Sequence, residues 1–417
     1  MKAVLYLIAL ISFITSAYGQ KKSYHAELAN IYFEKKSYLN AIPHLKHAIR
    51  KKPSNDTLIA HLGISYYYTR QLEQACNTFE YMEQKNLLKD SLVTYYFNTL
   101  KQQGNYGGAK KLILKQENQK LKKMSLFCDS AVAWLRKTRP VKINNLKKLN
   151  TEYSETCPGL HPNGLYFLSN RESTIIEKTS GFDGLPYQSA YLSYYNSDSV
   201  LKSPGIYNEL SGTNYHAGAA FFVEDSMLVY FTKVQKDRDN VLRSKLYLED
   251  LRKKSQIGEK LFILNDSLYS FMHPCIDREQ KLFFFASKMP GGYGGTDIYV
   301  SIRIEKAWSE PINLGPVINS PYNEIHPFYD AENRLFISSD RPEGMGGYDI
   351  FVGFQKDGEW TFLQNLRAPV NSSSDEMGFL MRKNLKTAYF CSNRPGGMGK
   401  EDIYEVTGKL FLLFDKK

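Results

Sequence analysis

Three stretches of this chain repeat almost the same residues. Each begins with Ser, continues through a Pro and several Gly, and ends in an Asp-Ile-aromatic triplet that starts at Asp297, Asp349 and Asp402. The triplets are therefore 52 and 53 residues apart. A strand-rich repeat of roughly this period, separated by glycine turns, is typical of β-propeller blades. We predict that the second part of the chain folds as a propeller.

A second pattern marks where each blade begins. A polar segment of six residues recurs, and the segments start at Asn150, Ser211, Asn265, Asn319 and Asn371. An apolar strand follows each one: Leu165–Leu168, Leu228–Phe231, Leu282–Phe285, Leu335–Ser338 and Ala388–Cys391. Five starts predict five blades over residues 140–408, and a six-bladed ring is the alternative.

The ring must also close. Linker strands such as Trp308–Leu314 and Trp360–Leu366 follow two of the blades, but nothing similar follows Val406. A segment of the same character, Val141–Leu146, precedes the first blade. We predict that it completes the last blade and leaves no exposed sheet edge. The apolar tail, residues 409–417, is expected to add a strand or to dock on a partner.

The first part of the chain repeats with a period of 34 residues. Small and bulky residues recur at this spacing over residues 22–116, namely Ala41, Ala75 and Ala109, and Tyr38, Leu72 and Tyr106. The period predicts tetratricopeptide-type helix–turn–helix units, which bury their apolar faces by stacking. Residues 117–137 resemble a capping helix, so the predicted helical domain covers 22–137. The predicted fold class is thus multidomain, helical repeats followed by an all-β propeller.

The N-terminus, residues 1–19, is predicted to be a secretory signal peptide. Lys2 precedes the apolar run Val4–Ile14, and Ala17-Tyr18-Gly19 is a small-x-small cleavage site. An uncleaved anchor is the alternative. No later segment is apolar enough to cross a bilayer, and no Cys follows the run to carry a lipid. We therefore expect the mature protein to be soluble and exported.

The net charge of +11 belongs entirely to the helical part. Residues 21–139 carry 21 Lys/Arg and 9 Asp/Glu, whereas residues 140–417 carry 32 and 34. A basic surface favours acidic partners such as an acidic protein, an anionic lipid or an anionic glycan. An exported protein rarely meets nucleic acid, so no nucleic-acid partner is expected. A merely solvated basic face is the alternative.

Candidate binding residues fall into two groups. Tyr32, Tyr66, Tyr67 and Tyr95 are predicted to line a partner groove of the helical repeats, or else to fill their core. A second set stands at the blade starts and would rim the propeller mouth, where it could hold a sugar, a peptide stem or a metal: Glu155, His216, His273, Glu324, His326 and Glu376. Capping and turn packing is the alternative role of this second set.

The sequence predicts no resident metal and no cofactor. Asp297, Asp349 and Asp402 are expected to accept backbone N–H groups in their glycine turns, with calcium binding as the alternative. None of the five cysteines forms a pair with zinc-ligand spacing. Buried free thiols are expected, and one disulfide is the alternative.

The blade pattern Ser-Asn-Arg-Pro-Gly-Gly-x-Gly with its following Asp-Ile-Tyr resembles the WD40-like PD40 repeat, which is related to the TolB propeller. A signal peptide, tetratricopeptide repeats and a PD40 propeller, in this order, resemble the front half of OmpA-family proteins of Bacteroidota, which include a component of the type IX secretion and gliding machinery. Such proteins usually continue into an OmpA-type peptidoglycan-binding domain. This sequence lacks one, so the tether is not carried over.

The resemblance implies a periplasmic scaffold, peripheral to the outer membrane, that binds envelope proteins, including secretion or gliding components. The alternative function is a module that binds peptidoglycan or another glycan at the propeller mouth. The sequence contains neither a Gly-x-Ser-x-Gly nor a His-Glu-x-x-His motif. Because no catalytic constellation is recognisable, we expect a protein that is not an enzyme.

Overall fold

The computed structural model describes residues 24–414 apart from 172–187, 198–199, 212–215, 224–225, 237–240, 253–258, 261–267 and 384. The predicted signal peptide and parts of the polar segments at Ser211 and Asn265 lie outside the described residues. The described chain divides into two compact units at the boundary between Lys122 and Lys123. No helix in the described ranges has the length and apolarity to cross a bilayer.

The first unit is helical, and consecutive helices pack against one another. The helices up to the boundary are α1 (24–34), α2 (Tyr38–Lys51), α3 (Asp56–Tyr68), α4 (Leu72–Gln84), α5 (Asp90–Gln102), α6 (Tyr106–Leu114) and α7 (Gln119–Lys123). The side chains of Asn55 and Asn105 cap α3 and α6 by accepting backbone N–H groups.

The residues repeated every 34 positions explain how neighbouring helices can pack closely against one another. Ala41, Ala75 and Ala109 are all completely buried. At Gly63 a Cβ atom would lie 2.7 Å from the ring of Phe79, which is itself fully buried. Small residues therefore bring neighbouring helices close together, as the period predicts. That the units are tetratricopeptide repeats stays a prediction.

One further helix, α8 (Ser125–Arg136), belongs to the second unit. The guanidinium of Arg367 lies 5.6 Å from the ring centre of Trp134. Just beyond the helix, the backbone N–H of Arg139 donates to the carbonyl of Ala368 at 2.7 Å. The sequence predicts that this segment caps the helical domain, whereas in the structure it clusters with the propeller.

The second unit contains five antiparallel sheets among its described residues, which confirms the predicted five-bladed propeller. Blade 1 consists of β2 (Glu155–His161), β3 (Gly164–Ser169), β4 (Ser189–Tyr194) and β5 (Gly205–Ile206). Blade 2 consists of β6 (His216–Phe222), β7 (Leu228–Lys236), β8 (Leu242–Asp250) and β9 (Glu259–Lys260). Blade 3 consists of β10 (Phe271–Ile276), β11 (Leu282–Ser287), β12 (Asp297–Ile304), β13 (Ala307–Trp308) and β14 (Ile312–Asn313). Blade 4 consists of β15 (Glu324–Tyr329), β16 (Leu335–Ser339), β17 (Asp349–Lys356) and β18 (Glu359–Asn365). Blade 5 consists of β19 (Glu376–Met381), β20 (Thr387–Ser392), β21 (Asp402–Gly408) and β1 (Val141–Asn145).

The blades form a closed ring around their first strands. Each of β2, β6, β10, β15 and β19 contacts the first strand of both neighbouring blades. Apolar clusters fill the spaces between consecutive blades, and one of them joins blade 5 to blade 1 through Tyr389 and Phe167. Burial of these clusters holds the ring together, because apolar surface removed from water contributes roughly 25 cal/mol per Å².

The predicted closure is confirmed. β1 pairs antiparallel with β21, with Val141 opposite Gly408 and Asn145 opposite Tyr404. The apolar tail adds no strand as far as Phe414, its last described residue. It forms a short 3₁₀ helix, Leu410–Leu413, whose two end residues are buried against blades 4 and 5.

Candidate functional site

The first strands of the five blades surround the centre of the propeller, and all five share one irregularity. In each, the pairing register with the second strand shifts after the second residue, as in a β-bulge. A bulge re-aims the side chain at that point, and such features concentrate near functional sites. The residues at the shift are Cys157, Gly218, His273, His326 and Gly378; we call them the bulge ring.

Three members of the bulge ring bring potential metal ligands together. Their ligand atoms, from Cys157, His273 and His326, all lie within 4.8 Å of one another. The Sγ atom of Cys157 is 3.9 Å from Nε2 of His326. The two imidazole rings stack with their centres 3.7 Å apart, and the backbone N–H of His326 donates to Nδ1 of His273 at 3.4 Å.

These three residues adopt a backbone conformation that costs free energy. Their φ angles are 50°, 56° and 53°, in the left-handed region. An L-residue pays roughly 1–2 kcal/mol for this conformation, whereas glycine does not. Blade 5 has Gly378 at the same place, with φ of 68°. The bulge itself therefore needs no side chain, and its backbone would suit glycine better.

The environment of the three ligands favours their neutral forms. Burial lowers the pKa of His326 to about 4. Burial, together with the His326 ring, lowers the pKa of His273 well below its usual value. Burial also raises the pKa of the Cys157 thiol to about 12. At neutral pH the cluster therefore offers two neutral imidazoles and one thiol.

The glutamates predicted at the propeller mouth lie at the start of their strands and are fully buried. The carboxylate of Glu324 accepts hydrogen bonds from Ser320 and Ser339, and it pairs with Arg341 at 3.0 Å. Burial raises the pKa of Glu324, although Arg341 opposes the rise. Equivalent networks hold Glu155, with Thr151, Ser169 and Arg171, and Glu376, with Ser372, Ser392 and Arg394. Ligand binding by these glutamates stays a prediction.

The aspartates of the glycine turns accept backbone N–H groups. Asp297 accepts from Tyr293 and Gly294, and Asp402 accepts from Met398 and Gly399. Asp349 accepts from Gly346 in the same way. These bonds tie each turn to the first residue of the strand that follows it. The backbone of His216 begins β6, but its side chain lies outside the described residues.

In the helical unit, tyrosines from three helices gather on one patch. Tyr67, Tyr68 and Tyr95 are half-buried, and each ring centre lies within 6 Å of the other two. The hydroxyls of Tyr68 and Tyr95 are 3.3 Å apart. The ring of Tyr38 stacks on that of Tyr68, with the ring centres 4.6 Å apart. We call these four residues the tyrosine patch.

The other tyrosines predicted to line a groove lie elsewhere. Tyr66 is buried, so its ring belongs to the helix packing. Tyr32 stacks on His44 with ring centres 5.5 Å apart. Sequence reasoning did not single out Tyr68 or Cys157. The position of Cys157 two residues after Glu155 matches that of His326 after Glu324, and this alignment of the blade starts was the available signal.

No family model and no curated protein matches this chain. Solved structures with a similar fold include a thermostable family-43 glycoside hydrolase (15% identity, 62% of this chain and 90% of that one, TM-score 0.39) and a gluconolactonase from Xanthomonas campestris (8%, 64% and 89%, TM-score 0.35). A protein of unknown function from Dyadobacter fermentans is also similar (12%, 60% and 75%, TM-score 0.37). At these identities the likeness concerns the fold alone.

The expectation that the chain is not an enzyme is corrected by these findings. Several of the similar propellers are glycosidases, and another is a gluconolactonase. The step from a sequence without a recognisable catalytic motif to a protein without catalysis was therefore wrong, because this architecture also supports enzymes. The likeness of fold assigns no reaction to this chain.

Proposed function

We propose that this protein is exported to the cell envelope and binds a protein partner there through its helical unit. The observation that carries the proposal is the tyrosine patch. Tyrosine offers a large, amphipathic contact area and loses little side-chain entropy on binding, which is why it is enriched at protein interfaces. Here the half-buried rings are already held by one another before any partner arrives.

The charge of the helical unit defines the chemistry of the partner. A surplus of 12 positive charges over residues 21–139 attracts an acidic surface and accelerates its association. Arg70 and Gln102 extend the patch, since Gln102 contacts both Arg70 and the hydroxyl of Tyr67. The partner we propose is an acidic segment of an envelope protein, such as a secretion or gliding component.

Site-specific photo-crosslinking in the native host tests this proposal. A photoreactive phenylalanine analogue is placed at Tyr67 or at Tyr95, and the matched control is Tyr81, an exposed tyrosine outside the patch. We expect a crosslinked adduct of one defined mass from the two patch positions, weakened by salt, and none from Tyr81. Equal crosslinking at all three positions would count against the patch.

Export needs its own measurement. Cell fractionation followed by N-terminal sequencing is expected to recover the protein from the periplasm with Gln20 as its first residue. Recovery from the cytosol with residues 1–19 intact would contradict the envelope location. The crosslinking result then decides separately whether the helical unit binds a partner.

A further inference from the structure

The bulge ring holds the feature of this molecule that the partner-binding proposal does not explain. Thiol and imidazole side chains from three different blades converge on one place. They come from β2, β10 and β15, strands that the chain brings together only when the ring closes. We infer that Cys157, His273 and His326 form a binding site for a thiophilic transition-metal ion, with Zn²⁺ as the expected occupant.

The donor set selects the class of metal. One sulfur and two imidazole nitrogens suit Zn²⁺ or Cu⁺, whereas Ca²⁺ and Mg²⁺ require oxygen ligands. The carboxylates nearest in sequence, Glu155 and Glu324, are held by their own arginine partners. The described residues of the bulge ring therefore offer no oxygen-rich alternative at this place.

The three ligand atoms lie within 4.8 Å of one another, so they must move closer by up to about 1.5 Å to share one tetrahedral ion. Zn–S and Zn–N bonds of about 2.3 and 2.0–2.1 Å in a tetrahedron place sulfur and nitrogen about 3.5 Å apart, and two nitrogens about 3.3 Å apart. The observed Sγ–Nε2 separation of 3.9 Å is a few tenths of an ångström longer. The two stacked rings must also rotate so that both lone pairs meet, and χ2 of histidine allows this rotation at low cost.

The backbone gives an independent reason to assign a role to these side chains. The bulge position is glycine in blades 2 and 5, and of these two Gly378 has a positive φ, of 68°. In blades 1, 3 and 4 the same place holds a cysteine or a histidine in a conformation that glycine would adopt without strain. Strained positions of this kind cluster at active sites and ligand-binding sites.

Three protein ligands leave the fourth tetrahedral position open. All three residues are intermediate in burial rather than fully enclosed, so water or a small external ligand can complete the coordination. This is the arrangement of zinc sites that exchange a ligand, in contrast to closed structural sites with four protein ligands. The glycines of blades 2 and 5 keep two further positions of the ring free of side chains.

Zinc titration of the full chain, followed by calorimetry, tests the inference. The informative variant is His326→Gly, because Gly378 shows that glycine fits the left-handed bulge. We expect this variant to fold and to bind Zn²⁺ about 100-fold more weakly or worse, since loss of an outer-sphere partner alone costs 10–100-fold. Cys157→Ser is expected to weaken Zn²⁺ binding similarly. If His326→Gly lowers the folded fraction, the Zn²⁺ affinity of Cys157→Ser tests the site instead.

Two controls exclude other sites. His44→Gln removes a histidine of the helical unit that contacts His25, and Cys76→Ser removes a half-buried cysteine of α4; neither is expected to change the affinity. With Co²⁺ the wild type is expected to show a sulfur-to-cobalt absorption band that Cys157→Ser lacks, and a parallel Cu⁺ titration identifies the preferred ion. Equal zinc affinity of wild type and His326→Gly, or loss of binding in a control, would overturn the site and leave the partner-binding proposal untouched.

Discussion

At the scale of single residues, burial decides which side chains the propeller can keep charged. His161 packs its ring against Phe222 with centres 4.8 Å apart, beside Tyr207. Burial lowers the pKa of His161 from 6.5 to about 4. The folded protein therefore holds this ring neutral at a pH where the unfolded chain protonates it.

This difference makes stability depend on pH. As the pH falls from 6.5 towards 4, the unfolded state takes up a proton that the folded state refuses, so the free energy of unfolding decreases. Between about pH 7 and pH 5 we expect His161 to account for a loss of about 1 kcal/mol, a value reduced for its partial exposure. Urea unfolding of His161→Phe, which keeps the aromatic contact, is expected to show a smaller loss. Identical losses in variant and wild type would contradict the assignment.

We also expect the free energy of unfolding to depend on the buried ion pair between Arg341 and Glu324. Arg341 is 10% exposed and Glu324 is completely buried. Arg341→Ala leaves the carboxylate without its charge partner, and breaking a buried pair costs about 3–5 kcal/mol. The exposed Arg278 provides the control, since its replacement by Ala should change stability by less than about 0.5 kcal/mol. Urea unfolding checks both, and similar small effects would show that the serine bonds to Glu324 suffice.

At the scale of elements, the C-terminal tail shows how tertiary packing decides what a local pattern leaves open. Its apolar residues were consistent with a strand or a docking segment. In the structure Leu410 and Leu413 join the cluster between blades 4 and 5. The ring of Phe414 lies 4.2 Å below the guanidinium of Arg334, and the carbonyl of Leu413 accepts from the Gln364 side chain at 3.1 Å.

The tail is therefore expected to stabilise the last two blades. Leu413→Ala removes a fully buried side chain, and changes of this kind cost about 2–5 kcal/mol. Leu385→Ala, at a site where the leucine is 37% exposed, is the matched control and should cost much less. Thermal or urea unfolding compares the two. Equal costs would mean that the tail does not pack in solution as it does here.

At the scale of the whole molecule, the repeats made the architecture predictable but not the bulge ring. The blade starts and the closing strand follow from residues that recur along the chain, such as Asn319 and Asn371. The meeting of Cys157 with His326 depends on a register shift between strands and on ring closure. Neither has a signature in a short stretch of sequence, so the blade alignment could place His273 and His326 at the propeller mouth but could not show that Cys157 lies beside them.

The boundary between the two units was predictable only in part, because helical periodicity shows where α8 lies but not what it packs against. Its contacts through Trp134 and Arg139 predict that a fragment starting at Lys123 is more stable than one starting at Pro140.

A third fragment, starting at Lys147, also lacks β1 and exposes the edge of β21. Exposed edges promote pairing between chains, so we expect this fragment alone to aggregate in size-exclusion chromatography. If urea unfolding gives the first two fragments the same stability, α8 does not support the propeller; if the third stays monomeric, closure by β1 is not needed to protect that edge.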